Sequence, residues 1–259
     1  MNFIAKIILI LVTAVVFNAS MAVATLAPKK LADDGLETVV LLHGLGRGNS
    51  AMSSLASRLG RSGYQVKLVG YHSLNRELSQ ILSSISSQID QCCLNKDKPV
   101  HFVGYSFGGL LIRSYLANNK IKNLGRVVLI GTPNTGSEFV DQHQDRWWIK
   151  LLGPAVTSLG TGKKSFPNSL ALPFYPVGII AGVRNDASND DIIPGKDDGL
   201  VSVKSTKISG MTDFVEINAD HRSMRNNKVV AKQTIEFLRH GRFYDKLDLS
   251  EKSGQHLPF

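Results

Sequence analysis

Short runs of β-branched and aliphatic residues recur along this 259-residue chain, and longer stretches with apolar residues every third or fourth position separate them. The runs at 38–42, 65–69, 100–104, 126–130, 177–181 and 214–217 predict six strands, and the stretches at 49–61, 74–91, 108–118 and 226–239 predict helices. Strand and helix patterns in alternation are the mark of a largely parallel sheet covered on both faces, so the fold class is α/β. Only 138–176 breaks the rhythm. It has no strand pattern, carries Trp147-Trp148 followed by Ile149, Leu151 and Leu152 at helical spacing, and ends in a Pro- and Ser-containing stretch. Two readings of this insertion stand: a lid beside a site, or simple core packing. No internal repeat or low-complexity tract interrupts the chain.

The first residues belong to a different pattern. Lys6 precedes the apolar run 7–17, which is shorter than the roughly 20 residues that span a bilayer. Ala22-Val23-Ala24 then fits a small-residue cleavage site, predicting a signal peptide over 1–24 and a mature start at Thr25, with a cut at Ala22 as the second candidate. An uncleaved anchoring segment is the competing reading, and no cysteine after the run supports a lipid anchor. Export to a periplasm or medium is expected. Removal of 24 residues from 259 leaves 235, enough for a single α/β domain over 25–259.

The net charge of +9 falls to +8 on that cleavage, because Lys6 is the sole ionisable side chain removed. The basic residues are scattered and not interleaved with aromatics, which argues against a nucleic-acid groove and leaves a solvated surface or a transient contact with an anionic membrane surface. Cys92 and Cys93 are neighbours. Their Cα atoms, about 3.8 Å apart, fall below the usual disulfide range, so free thiols or an intermolecular bridge are expected and the fold is expected to stand without a disulfide framework.

The chemistry is concentrated in a few turns. Gly104-Tyr-Ser-Phe-Gly108 lies between the predicted strand ending at Gly104 and the predicted helix from 108, and reads as a nucleophile elbow with Ser106 as nucleophile. The first strand runs into Leu42-His-Gly-Leu-Gly-Arg47, which looks like an oxyanion loop in which the Leu45 N–H and the Phe107 N–H would face a developing oxyanion. His43 is a tempting base, but its place before the nucleophile strand points to a loop-stabilising role. His221 follows the last predicted strand and is the better base. His72, His101 and His143 precede any acid, and His240 and His256 lie in the basic tail. The acid that orients His221 is Asp198 or Asp197 in Lys196-Asp-Asp-Gly-Leu-Val-Ser202, with Asp198 preferred; Asp186, Asp190 and Asp191 read as a solvated or turn-forming loop.

Taken together, His43-Gly-Leu-Gly, Gly104-Tyr-Ser-Phe-Gly-Gly, Gly131-Thr-Pro-Asn-Thr-Gly, Asp198-Gly-Leu-Val and His221 resemble the motifs of a bacterial lipase/esterase of the α/β-hydrolase superfamily, over roughly residues 37–240. The resemblance implies Ser106, Asp198 and His221 as catalytic triad and Leu45 and Phe107 as oxyanion-hole donors. It also implies that the Gly131 loop borders the pocket, and it ranks Asp198 above Asp197. One departure bears on metal: lipases with a structural calcium carry an acidic residue shortly after the catalytic histidine, whereas Arg222-Ser-Met-Arg225 stands here. No cofactor is therefore expected, and Asp190-Asp191 is the remaining motif for a calcium. The implied reaction is hydrolysis of a lipid or acyl ester through an acyl-enzyme. An acyltransferase or amidase would use the same triad, and a non-catalytic binding module on the same scaffold is the alternative from another class. No oligomeric state is read from the sequence.

Overall fold

The computed structural model describes residues 35–93, 96–184 and 193–244. Six strands form one sheet: β1 (Thr38–Leu42), β2 (Gln65–Val69), β3 (Val100–Tyr105), β4 (Leu124–Ile130), β5 (Val177–Val183) and β6 (Asp213–Asn218). Their spatial order is β2-β1-β3-β4-β5-β6, and every neighbouring pair is parallel. Each strand therefore ends on the same edge. The order reverses at β1, so the turns leaving β1 and β3 flank the crevice where an open parallel sheet offers a binding site.

Successive residues of the central strands feed opposite faces, which is why the strands are apolar throughout instead of alternating. Val40, Leu42, Phe102 and Leu129 pack beneath α2 (Leu78–Cys93) and α3 (Phe107–Asn118), which contribute Ile81, Ile85, Leu110 and Leu111. Val39, Leu41, Val103 and Val128 pack on the other face against α1 (Ser53–Arg61) and α10 (Lys228–His240), which contribute Leu55, Leu59, Val230 and Phe237. Each such side chain, nearly or wholly removed from water, contributes about 1.5–3 kcal/mol. Between β4 and β5 lie four short helices, α4 (Glu138–His143), α5 (Trp147–Leu151), α6 (Pro154–Thr157) and α7 (Phe166–Ser169). The 138–176 insertion is thus helical among its described elements, as its spacing predicts. After β5 come α8 (Val203–Thr206) and, beyond β6, α9 (His221–Met224).

Two expectations are corrected. The helix expected from 74 begins at Leu78, because Asn75 takes a left-handed φ of 52° and its N–H donates to Leu152 O at 3.2 Å, drawing 74–76 away from a helical path. Cys92 and Cys93 form a disulfide with each other, although their Cα atoms are 3.7 Å apart. The usual Cα range describes bridges between separate stretches of chain; neighbours close a small ring with their own peptide bond. Such a bond ties no two elements together, and the sheet and its helices still rest on packing. The predicted signal segment, Thr25, Asp186, Asp190, Asp191 and His256 lie outside the described residues.

Candidate active site

Ser106 stands between β3 and α3 with φ 55° and ψ −124°, a conformation that only strain or glycine ordinarily permits. The turn is held by the Ser106 N–H donating to Ile130 O at 2.8 Å and the Gly109 N–H donating to Ser106 O at 3.0 Å. Its glycines are required by space. A Cβ at Gly104 would lie 2.5 Å from Gly109 Cα, and one at Gly108 would lie 2.5 Å from the carbonyl oxygens of His43 and Leu42. The Gly108 contact seats the start of α3 directly against the end of β1. The β1 turn and the elbow are therefore one packed unit.

That packing places the two expected oxyanion donors. Phe107 opens α3, where backbone N–H groups have no partner within the helix and the helix dipole is positive. Leu45 lies in the β1 turn, whose next residue, Gly46, donates its N–H to Ser73 Oγ at 2.8 Å. Among the described residues neither the Leu45 nor the Phe107 N–H meets an acceptor. His43 is buried beneath this turn, stacked on Tyr71 with ring centroids 4.1 Å apart. Its Nδ1 lies 2.8 Å from Gly44 O, and its Nε2 faces the Tyr71 N–H at 3.4 Å; a carbonyl only accepts and an N–H only donates, so the ring is the neutral Nδ1–H tautomer. The Tyr71 hydroxyl donates to His43 O. His43 is thus a support for the turn, as the sequence indicates, and not a base.

His221 opens α9 just past β6. Its Nε2 lies 3.0 Å from Ser106 Oγ, and its Nδ1 lies 2.7 Å from Asp198 Oδ2. Asp198 is almost fully buried; its Oδ1 accepts the N–H groups of Leu200 at 3.0 Å and Val201 at 2.8 Å, and its carbonyl accepts the His221 N–H at 2.8 Å. An acceptor oxygen so placed fixes the proton on Nδ1 and leaves Nε2 to accept from the serine. Asp197 turns elsewhere, forming an ion pair with Arg184 Nε at 3.0 Å and accepting the Gly199 N–H. His101 sits inside β3 with Glu37 at 3.1 Å, and His143 and His240 bond within their own helical segments.

Two supporting residues escape sequence reasoning. The Tyr105 hydroxyl donates to His221 O at 2.6 Å, and burial, reinforced by the Asp198 charge, pushes that hydroxyl well above its ordinary pKa so that it stays a donor. Nothing local in the sequence marks this bond. Asp220 caps α9, accepting the N–H groups of Arg222 at 2.9 Å and Ser223 at 3.0 Å, and the Ser223 bonds foremost hold its carboxyl below the ordinary range. An Asp directly ahead of a helix is a cap signal that could have been read.

Ser106 opens onto a cavity of about 260 Å³ whose walls include Leu45, Phe107, Pro133, Phe139 and Trp148. Pro133 belongs to the Gly131 loop, which borders the pocket as expected. Trp148 lines the cavity, whereas Trp147 is 73% exposed and so belongs to neither core nor cavity. Among the described residues no group of three or more His, Cys, Asp and Glu side chains is placed to hold a metal ion.

Burial makes two histidines of the sheet, one beneath the β1 turn and one at the start of β3, sensitive to acid. His43 and His101 both have pKa values lowered by desolvation. Each binds its proton more readily when unfolded, so their contribution is fully present above about pH 6.5 and is lost progressively as pH falls below it toward the lowered folded-state values. The urea midpoint is expected to drop between pH 7 and pH 5, and His101→Gln is expected to flatten that slope; a midpoint rising over the same window would contradict it.

Comparison with known proteins bears on the fold and the family. No curated protein matches the chain. The mature form of the Bacillus licheniformis lipase BlEst2 aligns with a TM-score of 0.64 and 22% identity, covering 81% of this chain and 93% of its own. A metagenomic carboxyl esterase, MGS0156, aligns with a TM-score of 0.54 and 19% identity, covering 74% and 66%. At such identities the likeness establishes the fold, which is that of the α/β-hydrolases. The palmitoyl protein thioesterase family model matches residues 38–168, a span that begins at β1, takes in the turn at Ser106 and ends within α7, short of Asp198 and His221. On that match, over half of its length, the chain belongs to the palmitoyl protein thioesterase family.

Proposed function

We propose that this chain is an exported serine hydrolase that cleaves carboxylic esters of acyl chains. The observation that carries the reading is the continuous contact from Asp198 through His221 to Ser106 at the wall of a largely apolar cavity. In the reaction His221 Nε2 takes the Ser106 proton as Oγ attacks the ester carbonyl, and the oxyanion is met by the Leu45 and Phe107 N–H groups. His221 then returns the proton to the leaving alcohol. A water deprotonated by the same nitrogen attacks the acyl-enzyme, and its collapse frees the carboxylic acid and Ser106. The test is labelling by an active-site phosphonate, which should modify the wild-type chain at Ser106 and leave Ser106→Ala untouched; labelling of that variant would refute the assignment. The family match favours a second reading at the same site, a thioester as substrate. Rates on an oxygen ester and a thioester of one acyl group separate the two.

The insertion carrying α4 to α7 acts in this proposal as a partial cover for the acyl chain. The cavity, of about 260 Å³, is roomier than a two-carbon acyl group needs and has space for a chain of several carbons. Trp148 would touch a chain of that length and scarcely a two-carbon one. Trp148→Ala is expected to lower kcat/KM for an octanoyl ester about tenfold while sparing an acetyl ester; proportionate loss on both would remove the cover role. Export rests on the N-terminal sequence, and the mass of the recovered protein should begin at Thr25. Recovery of the full-length chain would count against cleavage.

A further inference from the structure

The rim of the cavity carries two kinds of side chain that the reaction does not use. On α5, Trp148 and Ile149 face the cavity, while Trp147 and Leu151, four residues apart and so on one side of the helix, are 73% and 62% exposed. Leu74 joins them: the bond from Asn75 N–H to Leu152 O ties its segment to the end of α5. Around these apolar groups stand exposed cations. Lys150 lies on α5 and Arg146 caps its start, Arg76 follows Leu74, and Arg47 and Arg222 border the cavity itself. Among the described residues none of the five is ion-paired with a carboxylate. The acids nearest in sequence are Glu77, Asp145 and Asp220, and Asp220 is engaged in capping α9.

We propose that this rim docks on an anionic lipid bilayer, with the cavity mouth toward the membrane. A tryptophan and a leucine side by side, ringed by unpaired Lys and Arg, match the layering of a bilayer surface. The indole settles at headgroup level, the leucine reaches the acyl boundary, and the cations meet lipid phosphates. The exposed apolar area is confined to one helical turn and its neighbour Leu74, small beside the roughly 800 Å² per partner of a stable protein interface. The inference deepens the acyl-ester reading by naming the source of substrate as the membrane itself, and it rests on that reading.

The test uses the full chain as Ser106→Ala, which cannot consume the lipid, combined with Trp148→Phe, which leaves Trp147 as the sole tryptophan of the two in the chain. Emission is recorded with vesicles of equal parts phosphatidylglycerol and phosphatidylcholine, and with phosphatidylcholine alone, each with and without brominated acyl chains. The expected result is a blue shift and bromine quenching of Trp147 on the anionic vesicles, reversed by high salt. Arg146→Gln with Lys150→Gln should weaken that partitioning by about twenty-fivefold, about fivefold for each charge. Quenching reports where Trp147 itself lies, so tethering through the N-terminal apolar segment does not imitate it. Unshifted emission while the chain sediments with the vesicles would overturn the proposal. So would equal quenching on neutral vesicles, or a blue shift that varies with protein concentration in their absence, which marks a second copy of the chain on the rim. Hydrolysis of a soluble acetyl ester by the wild-type chain, measured separately, tells failure of docking apart from failure of the hydrolase assignment.

Discussion

Ser106→Ala is expected to lower kcat for ester hydrolysis by about 10⁶-fold, the scale on which loss of the nucleophile is felt in a serine hydrolase of the proposed mechanism. Stability should be nearly unchanged. The strained φ of 55° is borne by a residue that already has a Cβ, so alanine meets no new clash at the elbow. The Ser106 hydroxyl bonds to His221 Nε2 and to no other described group, and the turn is held by backbone bonds that alanine keeps. Circular dichroism and the urea midpoint check the fold, and a nitrophenyl acetate assay checks the rate. Activity retained within tenfold would remove Ser106 from the chemistry. A collapse of the midpoint would show instead that the hydroxyl serves the fold.

Asp198→Asn is expected to cost about 10⁴-fold in kcat, and the hydrogen bonds show why. Oδ1 accepts two backbone N–H groups, so the asparagine oxygen must keep that place and the amide NH₂ must turn toward His221. An NH₂ facing Nδ1 forces the ring proton onto Nε2, the nitrogen that must accept from Ser106. Asp197→Asn leaves that tautomer alone. Its partner is Arg184, so the expected effect is a loss of about 1–3 kcal/mol of stability with kcat changed less than tenfold. Measuring both variants with one soluble ester decides between the carboxylates, and the reverse ranking would move the acid to Asp197.

Adjacent in sequence, Asp197 and Asp198 show where local reading ends. Both sit in one polar loop, and only the path of that loop past β5 sends one carboxylate to His221 and the other to Arg184. The tryptophan pair divides in the same way. Helical spacing marks the segment as a unit, yet which indole enters the cavity follows from how α5 lies over the elbow.

What the sequence by itself determined is what depends on neighbours along the chain. The six strands are legible because apolar runs of strand length, punctuated by turns, have few other uses, and the observed bounds differ from the expected ones by two residues at most. The elbow is legible because the positive φ at Ser106 and the backbone contacts at Gly104 and Gly108 demand those residue types locally. Only the tertiary structure decided contacts between distant segments. Ser106 meets His221 across 115 residues, Tyr105 meets the His221 carbonyl across 116, and Asn75 is pulled out of a helix by Leu152. Such contacts depend on which loops the sheet order brings to one edge, a property of strand packing that no local window of the chain contains.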